Sequence, residues 1–379
     1  MANKLNSSSR VCIPTMYYPP DKNGIATYAA TLATGLRKKG LDVFVVTRKR
    51  PRTIKGINIF QVDVPSVDLS EWYEEEILWD RREYCLKFAK GLYDFLKKEK
   101  FDVVNSITTW DDYLMAFSVL KAKTDGKNKL KLVITAGGGG KQPPAEMNPL
   151  RAEILNTVDM LTAMGRNVER QLLKIGVKKK LIKYVPPGID PVLFELHSKP
   201  VRDEIMVLFV GRIDRVKGLL SIIQVAKKLR GKKFKFRLVG EAAIPEERKI
   251  IQRYILKNKL NNVSLERGVE NNQIPKLLAE ADIFIYPSYE EWFGISVLEA
   301  IASGLPCIVS NKGELSEMVV NGKNGFVVNP KNVKEIERAL ILLKDSDLRS
   351  RFGKVSRQIS KKFSVERLVS THLKIYAKI

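Results

Sequence analysis

The chain has 379 residues, of which 44% are hydrophobic and 28% are charged. This length exceeds one comfortable hydrophobic core and predicts two domains, and the composition is that of a globular protein. No apolar run is long enough to cross a bilayer, and residues 1–16 lack the basic-then-apolar order of a signal peptide, so we expect a cytoplasmic protein. Three widely separated cysteines, Cys12, Cys85 and Cys307, argue against a disulfide framework and against a zinc site.

The formal net charge of +24 is the most unusual compositional feature. Such a surplus attracts polyanions, whether nucleic acid, anionic lipid or phosphorylated small molecules. The net charge alone does not indicate which of these classes the protein binds. Much of it lies in short runs such as 48–50 and 178–180, which are typical of solvated faces. A nucleic-acid-binding protein needs a basic groove with stacking aromatics or a recognised module, and the sequence shows neither.

Short runs rich in Val and Ile alternate with amphipathic segments along the whole chain. In the first half these runs lie at 10–16, 42–47, 101–106, 131–135 and 158–164. In the second half they lie at 205–211, 235–240, 263–267, 283–287, 306–310 and 325–329. Helical patterns lie between them, for example at 25–38, 81–98, 219–230 and 247–258. Runs that are apolar on both faces and separated by helices predict parallel strands covered on both sides.

This alternation occurs twice, on either side of a Pro-Pro-Gly turn at 186–188. It predicts an α/β fold of two doubly wound, Rossmann-like parallel-sheet domains, the first at residues 1–186 and the second at 187–362. Open parallel sheets bind ligands beyond the carboxyl ends of their strands, and two such sheets facing each other would form one cleft. The strand-to-helix turns are therefore the segments to inspect.

The first such turn contains Asn23 and Gly24, which open a helix from about Ile25. A glycine at Gly24 lets a ligand approach the backbone, and the free N–H groups of a first helical turn suit an anion. The same pair also suits a plain Asn cap followed by a permissive glycine, so this signal is weak on its own.

The second turn follows the strand 205–211, where Arg212 and Lys217 flank the start of the next helix. A guanidinium fork and an ammonium point charge at the carboxyl edge of a sheet suit a diphosphate. A surface turn with basic residues is the alternative, and the combination with Gly211 and Gly218 favours ligand binding.

The third turn is the loop 288–293, which follows the buried strand 283–287 and precedes a helix expected to start at Gly294. Glu291 projects from this loop, and Glu299 lies one to two turns inside the helix, whose positive end faces the same side. The alternative is that Glu290 and Glu291 are first-turn acids that stabilise the helix dipole and that Glu299 is a solvated helix position. Spacing alone favours this alternative.

Three motifs taken together resemble the carboxyl-terminal domain of the retaining glycosyltransferases of family 4, the group 1 glycosyltransferases with the GT-B fold. They are GRIDRVKG at 211–218, EEWFGISVLEAIASGLPCIVS at 290–310 and GKNGFVV at 322–328. The early glycine loop and a Pro-Pro-Gly-Ile-Asp hinge that ends at Phe194 also match in order and separation. Several linked motifs in register are far more specific than any one of them.

The resemblance implies three catalytic residues. Arg212 and Lys217 would bind the diphosphate of a UDP-, GDP- or ADP-sugar, and Glu291 would contact hydroxyls of a hexose-type donor sugar. The departing diphosphate develops negative charge, which two fixed cations and a helix N-terminus stabilise without reorganising. The family transfers sugars with retention of anomeric configuration, to glycan, lipid-linked or small-molecule acceptors.

The resemblance also implies a set of donor-binding positions. Backbone N–H groups at Phe293 to Ile295 would hold sugar and phosphate, Glu299 would accept hydrogen bonds from the ribose hydroxyls, and the segment 267–269 would lie along the base. Gly24, next to Asn23, would let the loop of the first domain close on the leaving phosphate. The full donor-binding set is Gly24, Val269, Phe293, Gly294, Ile295 and Glu299.

No metal or other cofactor is expected. Glycosyltransferases that lack these cationic groups often hold a metal with an Asp-x-Asp motif, and the one match here is at 345–347. It begins a helix and is better explained as a helix cap. We therefore expect transfer to be independent of metal.

The chain departs from the family pattern at the end of one strand, where many members carry a histidine that meets the donor sugar. Here the strand runs into four glycines and Lys141, while His197 and His372 lie elsewhere and are expected to be structural. Gly137 and Lys141 are candidate contacts for a larger or charged group on the donor sugar. A flexible loop, with the contact supplied elsewhere, is the alternative.

The acceptor cannot be deduced from any motif. Residues 81–101 carry aromatics and leucines on one side and lysines on the other, which usually means a helix packed on its own sheet. The alternative is peripheral contact with an anionic membrane and a lipid-linked acceptor. The resemblance implies that the first domain, 1–186, is the acceptor side and that the second, 187–362, binds the nucleotide-sugar. The last segment, 363–379, resembles the family's tail that returns to the first domain. A sugar-nucleotide-binding protein without turnover, and a phosphorylase- or epimerase-like activity, stay open as alternatives.

Overall fold

The computed structural model describes residues 9–48, 54–64, 78–109, 112–126, 129–138, 145–194, 202–242 and 244–379. These residues divide into two compact units. Unit 1 comprises the described residues up to Gly188 together with Val365–Ile379, and unit 2 comprises the described residues of Ile189–Ser364.

Unit 1 is built on a seven-stranded parallel sheet in its described part, in the order β3-β2-β1-β4-β5-β6-β7. Its strands are β1 (Arg10–Pro14), β2 (Asp42–Arg48), β3 (Asn58–Val62), β4 (Val103–Thr108), β5 (Lys131–Ala136), β6 (Met160–Ala163) and β7 (Ile182–Tyr184). Its helices are α1 (Gly24–Lys38), α2 (Leu78–Lys98), α3 (Asp112–Asp125), α4 (Asn148–Leu155), α5 (Arg166–Lys174) and a terminal helix (Val365–Lys378).

The terminal helix packs against α1 within unit 1. Leu368 and Val369 belong to the same buried cluster as Leu32 and Leu36 of α1. Gly35 makes this contact close, because a Cβ at that position would lie 2.3 Å from Cγ2 of Val369. The absence of a side chain on Gly35 therefore lets the two helices approach each other.

A buried polar network joins the terminal helix to the centre of the sheet. Asn105 of β4 donates from Nδ2 to the Tyr376 hydroxyl at 2.7 Å and lies 3.3 Å from Nδ1 of His372. The other ring nitrogen of His372 bonds the Tyr28 hydroxyl of α1 at 2.9 Å. Burial lowers the pKa of His372 to about 3, so the imidazole is neutral near pH 7. His372 is thus a structural residue, as expected, whereas His197 lies outside the described residues.

Helix α2 is packed on its own sheet. Phe88, Leu92 and Leu96 are fully buried on its apolar side, while Lys97 and Lys98 are exposed. The expected packed helix is confirmed, and this apolar side is already covered by protein. Among the described helices, none combines the length and the hydropathy that a membrane span requires.

Unit 2 is built on a six-stranded parallel sheet in its described part, in the order β10-β9-β8-β11-β12-β13. Its strands are β8 (Ile205–Val210), β9 (Phe234–Val239), β10 (Val263–Glu266), β11 (Ile283–Tyr286), β12 (Cys307–Ser310) and β13 (Gly325–Val328). Its helices are α6 (Leu219–Lys228), α7 (Pro245–Lys257), α8 (Ile274–Ala279), α9 (Ile295–Ala302), α10 (Leu315–Met318), α11 (Val333–Leu342) and α12 (Ser346–Ser360). The predicted α/β class with two parallel sheets is confirmed.

The sequence patterns miss β3 and β7, which form the two edges of the sheet in unit 1. Most residues of β3 are partly or fully exposed, and β7 has only three residues. Edge strands need no apolar run covered on both sides, so the pattern that finds the central strands does not find them. The start of one helix also shifts slightly, since Gly294 is the N-cap of α9 rather than its first residue.

Candidate active site

Two strand-to-helix turns meet at the carboxyl edge of the unit 2 sheet, because β8 and β11 are neighbours. The turn after β8 is shaped by Asp214, whose carboxylate accepts from the backbone N–H of Lys217 at 3.1 Å and pairs with Arg212 at 2.9 Å. Gly218 has a φ of +76°, and a Cβ there would lie 2.1 Å from the carbonyl oxygen of Pro287. Glycine is therefore required for the turn after β8 to lie against the end of β11.

The centre of this edge is an ion pair between Lys217 and Glu291. Nζ of Lys217 lies 3.0 Å from Oε2 of Glu291 and also donates to the carbonyl oxygen of Glu290 at 3.2 Å. Both side chains of the pair are only 11% exposed. Two turns from different strands are thus joined through opposite charges that are largely removed from water.

Glu291 is held as a carboxylate. Burial by itself would raise the pKa of Glu291, but the charge of Lys217 and the hydrogen bonds from Lys217, the Trp292 N–H and the Tyr286 hydroxyl outweigh it. The net effect lowers the pKa of Glu291 below its ordinary value, so the group is ionised at neutral pH. A fixed carboxylate of this kind can accept hydrogen bonds from a sugar hydroxyl.

The loop after β11 is fastened on both sides. The Ser288 hydroxyl and the Tyr289 N–H both donate to the carbonyl oxygen of Val216, at 3.0 and 2.7 Å. On the other side, the Ser310 hydroxyl at the end of β12 donates to the carbonyl oxygen of Ser288 at 2.5 Å. These bonds fix the position of Glu291 relative to the turn that carries Lys217.

The N-terminus of α9 lies directly after this loop and has no side-chain cap. Gly294 adopts a left-handed conformation with a φ of +92°, and a Cβ there would lie 2.5 Å from Cδ2 of Leu315. Phe293 is buried, and its ring packs edge-on against Phe363. The first-turn N–H groups from Ile295 onward therefore form a rigid positive end that suits phosphate.

Glu299 lies one turn further along α9 and has a different environment. Within the described residues its carboxyl forms no ion pair and no side-chain hydrogen bond. Burial raises the pKa of Glu299 to about 8, so the group is mostly protonated at neutral pH. The two glutamates of the motif thus differ in charge, because only Glu291 has a cation beside it.

The segment after β10 lies at the same edge of the sheet, two strands from β8. The Gly268 N–H donates to the carboxylate of Glu241 at 3.0 Å, and Val269 is partly buried against the core of unit 2. Arg267 is exposed. The segment thus lies at the carboxyl edge of the unit 2 sheet, and its role along the base stays a prediction.

In unit 1, Asn23 and Gly24 begin α1. The Asn23 side chain accepts from the Ala26 N–H at 2.9 Å, which is the ordinary Asn cap that the sequence left open as an alternative. The preceding loop is held by an ion pair of 2.5 Å between Asp21 and Arg48, the last residue of β2. The start of α1 is therefore fixed by both a cap and an ion pair.

Gly137 lies next to the start of α1. A Cβ on Gly137 would lie 2.2 Å from Cδ1 of Ile25, and its N–H donates to the carbonyl oxygen of Thr108 at 2.8 Å. Two sequence-predicted segments of unit 1 are thus brought together. Lys141, the other candidate contact of this loop, lies outside the described residues.

The Asp-x-Asp match at 345–347 is a helix cap, as predicted. The Asp345 carboxylate accepts from the backbone N–H groups of Asp347 and Leu348, at 2.8 and 3.2 Å. Within the part of the chain that the structure describes, no three His, Cys, Asp or Glu side chains are grouped so that they could hold a metal ion.

Sequence reasoning missed the residues that hold the site together. Asp214, Ser288 and Ser310 carry the bonds that position Arg212, Lys217 and Glu291. Asp214 lies three residues before Lys217, a spacing typical of a cap, and Ser288 follows a buried strand directly. These signals were present, but the partners depend on which strands are neighbours.

Two family profiles match this sequence. A family profile described as Glycosyltransferase Family 4 matches residues 22–193, and one described as Glycosyl transferases group 1 matches residues 195–359. Together these two matches span most of the chain. The chain belongs to the group 1 glycosyltransferases.

Relatives of this glycosyltransferase match it over different lengths. It is 24% identical over 376 residues to the N-acetyl-alpha-D-glucosaminyl L-malate synthase of Bacillus anthracis, a match that covers 94% of each chain. It is 29% identical over 173 residues to an uncharacterized glycosyltransferase of Methanocaldococcus jannaschii, which is 45% of this chain and 48% of that protein.

Solved structures show the same fold at low identity. Sucrose-phosphate synthase from Thermosynechococcus elongatus superimposes with a TM-score of 0.82 at 19% identity and covers 98% of both chains. Anabaena HepE in complex with UDP-glucose gives a TM-score of 0.77 at 15% identity and covers 98% of this chain and all of that one. This glycosyltransferase therefore has the predicted GT-B fold.

Proposed function

We propose that this glycosyltransferase takes a hexose-type sugar from a nucleotide-diphosphate sugar and passes it to a hydroxyl of its acceptor with retention of anomeric configuration. The observation that carries the proposal is the buried pair of Lys217 and Glu291 beside the uncapped N-terminus of α9. Ammonium, guanidinium and helix N–H groups suit the phosphates, and the adjacent carboxylate suits the hydroxyls of the sugar.

In the proposed reaction, the bond between the anomeric carbon and the phosphate oxygen breaks while a bond to the acceptor oxygen forms on the same face of the sugar. The electron pair of the broken bond stays on the diphosphate, and the acceptor proton moves to that leaving group. Arg212, Lys217 and the first turn of α9 stabilise the charge that develops there. Because these groups are already held in place, little reorganisation accompanies the reaction.

Glu299 is proposed to contact the ribose of the donor. Its protonated carboxyl can donate one hydrogen bond and accept another, whereas Glu291, ionised, can only accept. The segment 267–269 would then lie along the base, and Gly24 of unit 1 would meet the leaving phosphate. HepE was solved with UDP-glucose, which makes UDP-sugars the first donors to test.

The proposal is tested by a thermal-shift and calorimetric screen of UDP-, GDP- and ADP-sugars, followed by nucleotide release with and without an acceptor mixture. We expect one nucleotide series to raise the melting temperature and acceptor-dependent release of the nucleoside diphosphate. Binding without release would indicate a sugar-nucleotide-binding protein instead. Failure of all three series to bind would contradict the proposal.

Transfer is expected to be independent of added metal, because Arg212, Lys217 and the N-terminus of α9 provide the positive charge that a metal provides in other glycosyltransferases. The measurement is the transfer rate after dialysis against EDTA, compared with the rate after adding back Mg²⁺ or Mn²⁺. The expected result is an unchanged rate. Loss of activity that either ion restores would overturn this expectation.

A further inference from the structure

A cavity of about 610 Å³ opens at the carboxyl edge of the unit 2 sheet, beyond the ends of β11, β12 and β13. Lys217 and Glu291 lie beyond the ends of β8 and β11. None of the proposed donor-binding residues follows β12 or β13. The cavity shares one loop with them, because Glu290 lines it and Glu291 is the next residue. Its volume is within the range of small-molecule sites.

Two ammonium groups at the cavity have no partner among the described residues. Lys312 and Lys331 both line it, and within the described residues neither side chain forms an ion pair, a hydrogen bond or a ring contact. The carboxylate of Glu290 is likewise unpaired among the described residues. Such groups are solvated in the unliganded protein and available for a ligand that carries both hydroxyls and negative charge.

The walls between these charges combine amides with apolar surface. Asn311 and Asn329 contribute amide groups, and Val328 and Pro330 contribute buried apolar surface. A sugar ring presents the same mixture of C–H faces and hydroxyls. The lysines add the ability to bind a carboxylate or phosphate on that ring.

The cavity is also held in shape. The hydroxyl of Tyr289, a residue of its wall, lies 3.0 Å from the Ser221 hydroxyl and 3.3 Å from the carbonyl oxygen of Pro330. Ser221 itself donates to that carbonyl at 2.7 Å. These bonds connect the wall to α6, so a ligand would meet a preformed surface.

We propose that this cavity is a binding site for an anionic sugar, one that carries a carboxylate or a phosphate. This ligand is separate from the donor of the proposed function, and the acceptor itself is expected on the first domain. Lys312 and Lys331 bind its anionic group, and Glu290 and the two asparagines bind its hydroxyls.

The test is calorimetric titration of the full-length chain with glucuronate, glucose 6-phosphate, glucose and inorganic phosphate. One or both charged sugars should bind at least tenfold more tightly than glucose and than inorganic phosphate. The double variant Lys312→Gln/Lys331→Gln should lose at least tenfold in that affinity. The matched control Lys323→Gln/Lys354→Gln, which removes two exposed lysines of unit 2 that do not line the cavity, should not.

The two charged sugars distinguish a carboxylate ligand from a phosphate ligand. The proposal is overturned if neither charged sugar binds, or if the Lys312/Lys331 variant binds them as tightly as the wild type. It is also overturned if inorganic phosphate binds as tightly as the charged sugars, because the cavity would then be a site for a simple anion. Binding that Arg212→Gln abolishes would place the sugar in the donor site and also overturn it. If charged sugars bind in the cavity but no nucleotide-sugar binds the protein, the proposed function fails while the cavity assignment stands.

Discussion

At the scale of single residues, the ion pair of Lys217 with Glu291 keeps Glu291 ionised and fixes the positions of both side chains. Burying two charges is expensive, and their attraction repays the cost only when the geometry and the remaining hydrogen bonds are good. Here the carboxylate also accepts from Trp292 and the ammonium donates to Glu290. A donor that binds between them would replace part of this pairing with phosphate and sugar hydroxyls.

Breaking this pair on one side should destabilise the protein strongly. Lys217→Met leaves a buried carboxylate without its cation, and such a change typically costs about 3–5 kcal/mol. The double variant Lys217→Met/Glu291→Gln removes both charges of the pair and should regain most of the melting temperature measured by calorimetry, without regaining transfer.

The matched control is Lys228→Met, which breaks the more exposed pair of Lys228 with Glu337. Exposed pairs contribute about 1 kcal/mol or less, so its melting temperature should change little. A double variant as unstable as Lys217→Met would show that the ion pair is not the cause.

Glu299 should make the stability of the unliganded protein depend on pH. Burial raises the pKa of Glu299 from 4.5 to about 8, so between these values the folded state binds more protons than the unfolded state. The contribution of this group to stability therefore becomes less favourable as the pH rises through this range. As the pH rises from 6 to 8, the melting temperature of the wild type should fall relative to that of Glu299→Gln. Parallel curves for the two proteins would contradict the burial of an unpaired carboxyl.

At the scale of elements, the central strands and the site turns could be predicted from the sequence, because both have local signatures. Strands such as β8 and β11 are apolar on both faces, and Arg212, Lys217 and Glu291 lie in the turns that follow strand ends. The edge strands β3 and β7 lack that signature. The bond from Ser310 to Ser288 could not be predicted, because it depends on β11 and β12 being neighbours and on their register.

The contact of α1 with the terminal helix depends on a missing side chain, and Gly35→Ala tests it. The added Cβ would lie 2.3 Å from Cγ2 of Val369. Overpacking of a core costs about 1–3 kcal/mol, which exceeds the roughly 1 kcal/mol that alanine gains over glycine in a helix. We expect a lower melting temperature for Gly35→Ala and recovery in Gly35→Ala/Val369→Ala. A single variant as stable as the wild type would show that the two helices do not need this close approach.

At the scale of the whole molecule, the net charge of +24 comes from basic residues that are distributed along the chain, many of them in short runs. In the run 178–180 all three lysines are exposed, and Lys179 pairs with Glu169. Lys97 and Lys98 extend from α2 into solvent, opposite its buried side. The interpretation of these runs as solvated faces is confirmed for 178–180 and for Lys97 and Lys98. It is wrong for Arg48, the described residue of the run 48–50, whose side chain is only 17% exposed and pairs with Asp21. The charges assigned to the reaction are a small part of the total.

The central claim is that Arg212 and Lys217 stabilise a departing diphosphate. The most direct measurement is the transfer rate of Arg212→Gln and of Lys217→Gln, with the donor that the nucleotide-sugar screen identifies and with Lys228→Gln as the control. Loss of one such electrostatic group typically lowers the rate by about 10²–10³-fold, and we predict losses of that size for both site variants and none for the control. Transfer at the wild-type rate by folded Arg212→Gln and Lys217→Gln proteins would contradict the claim.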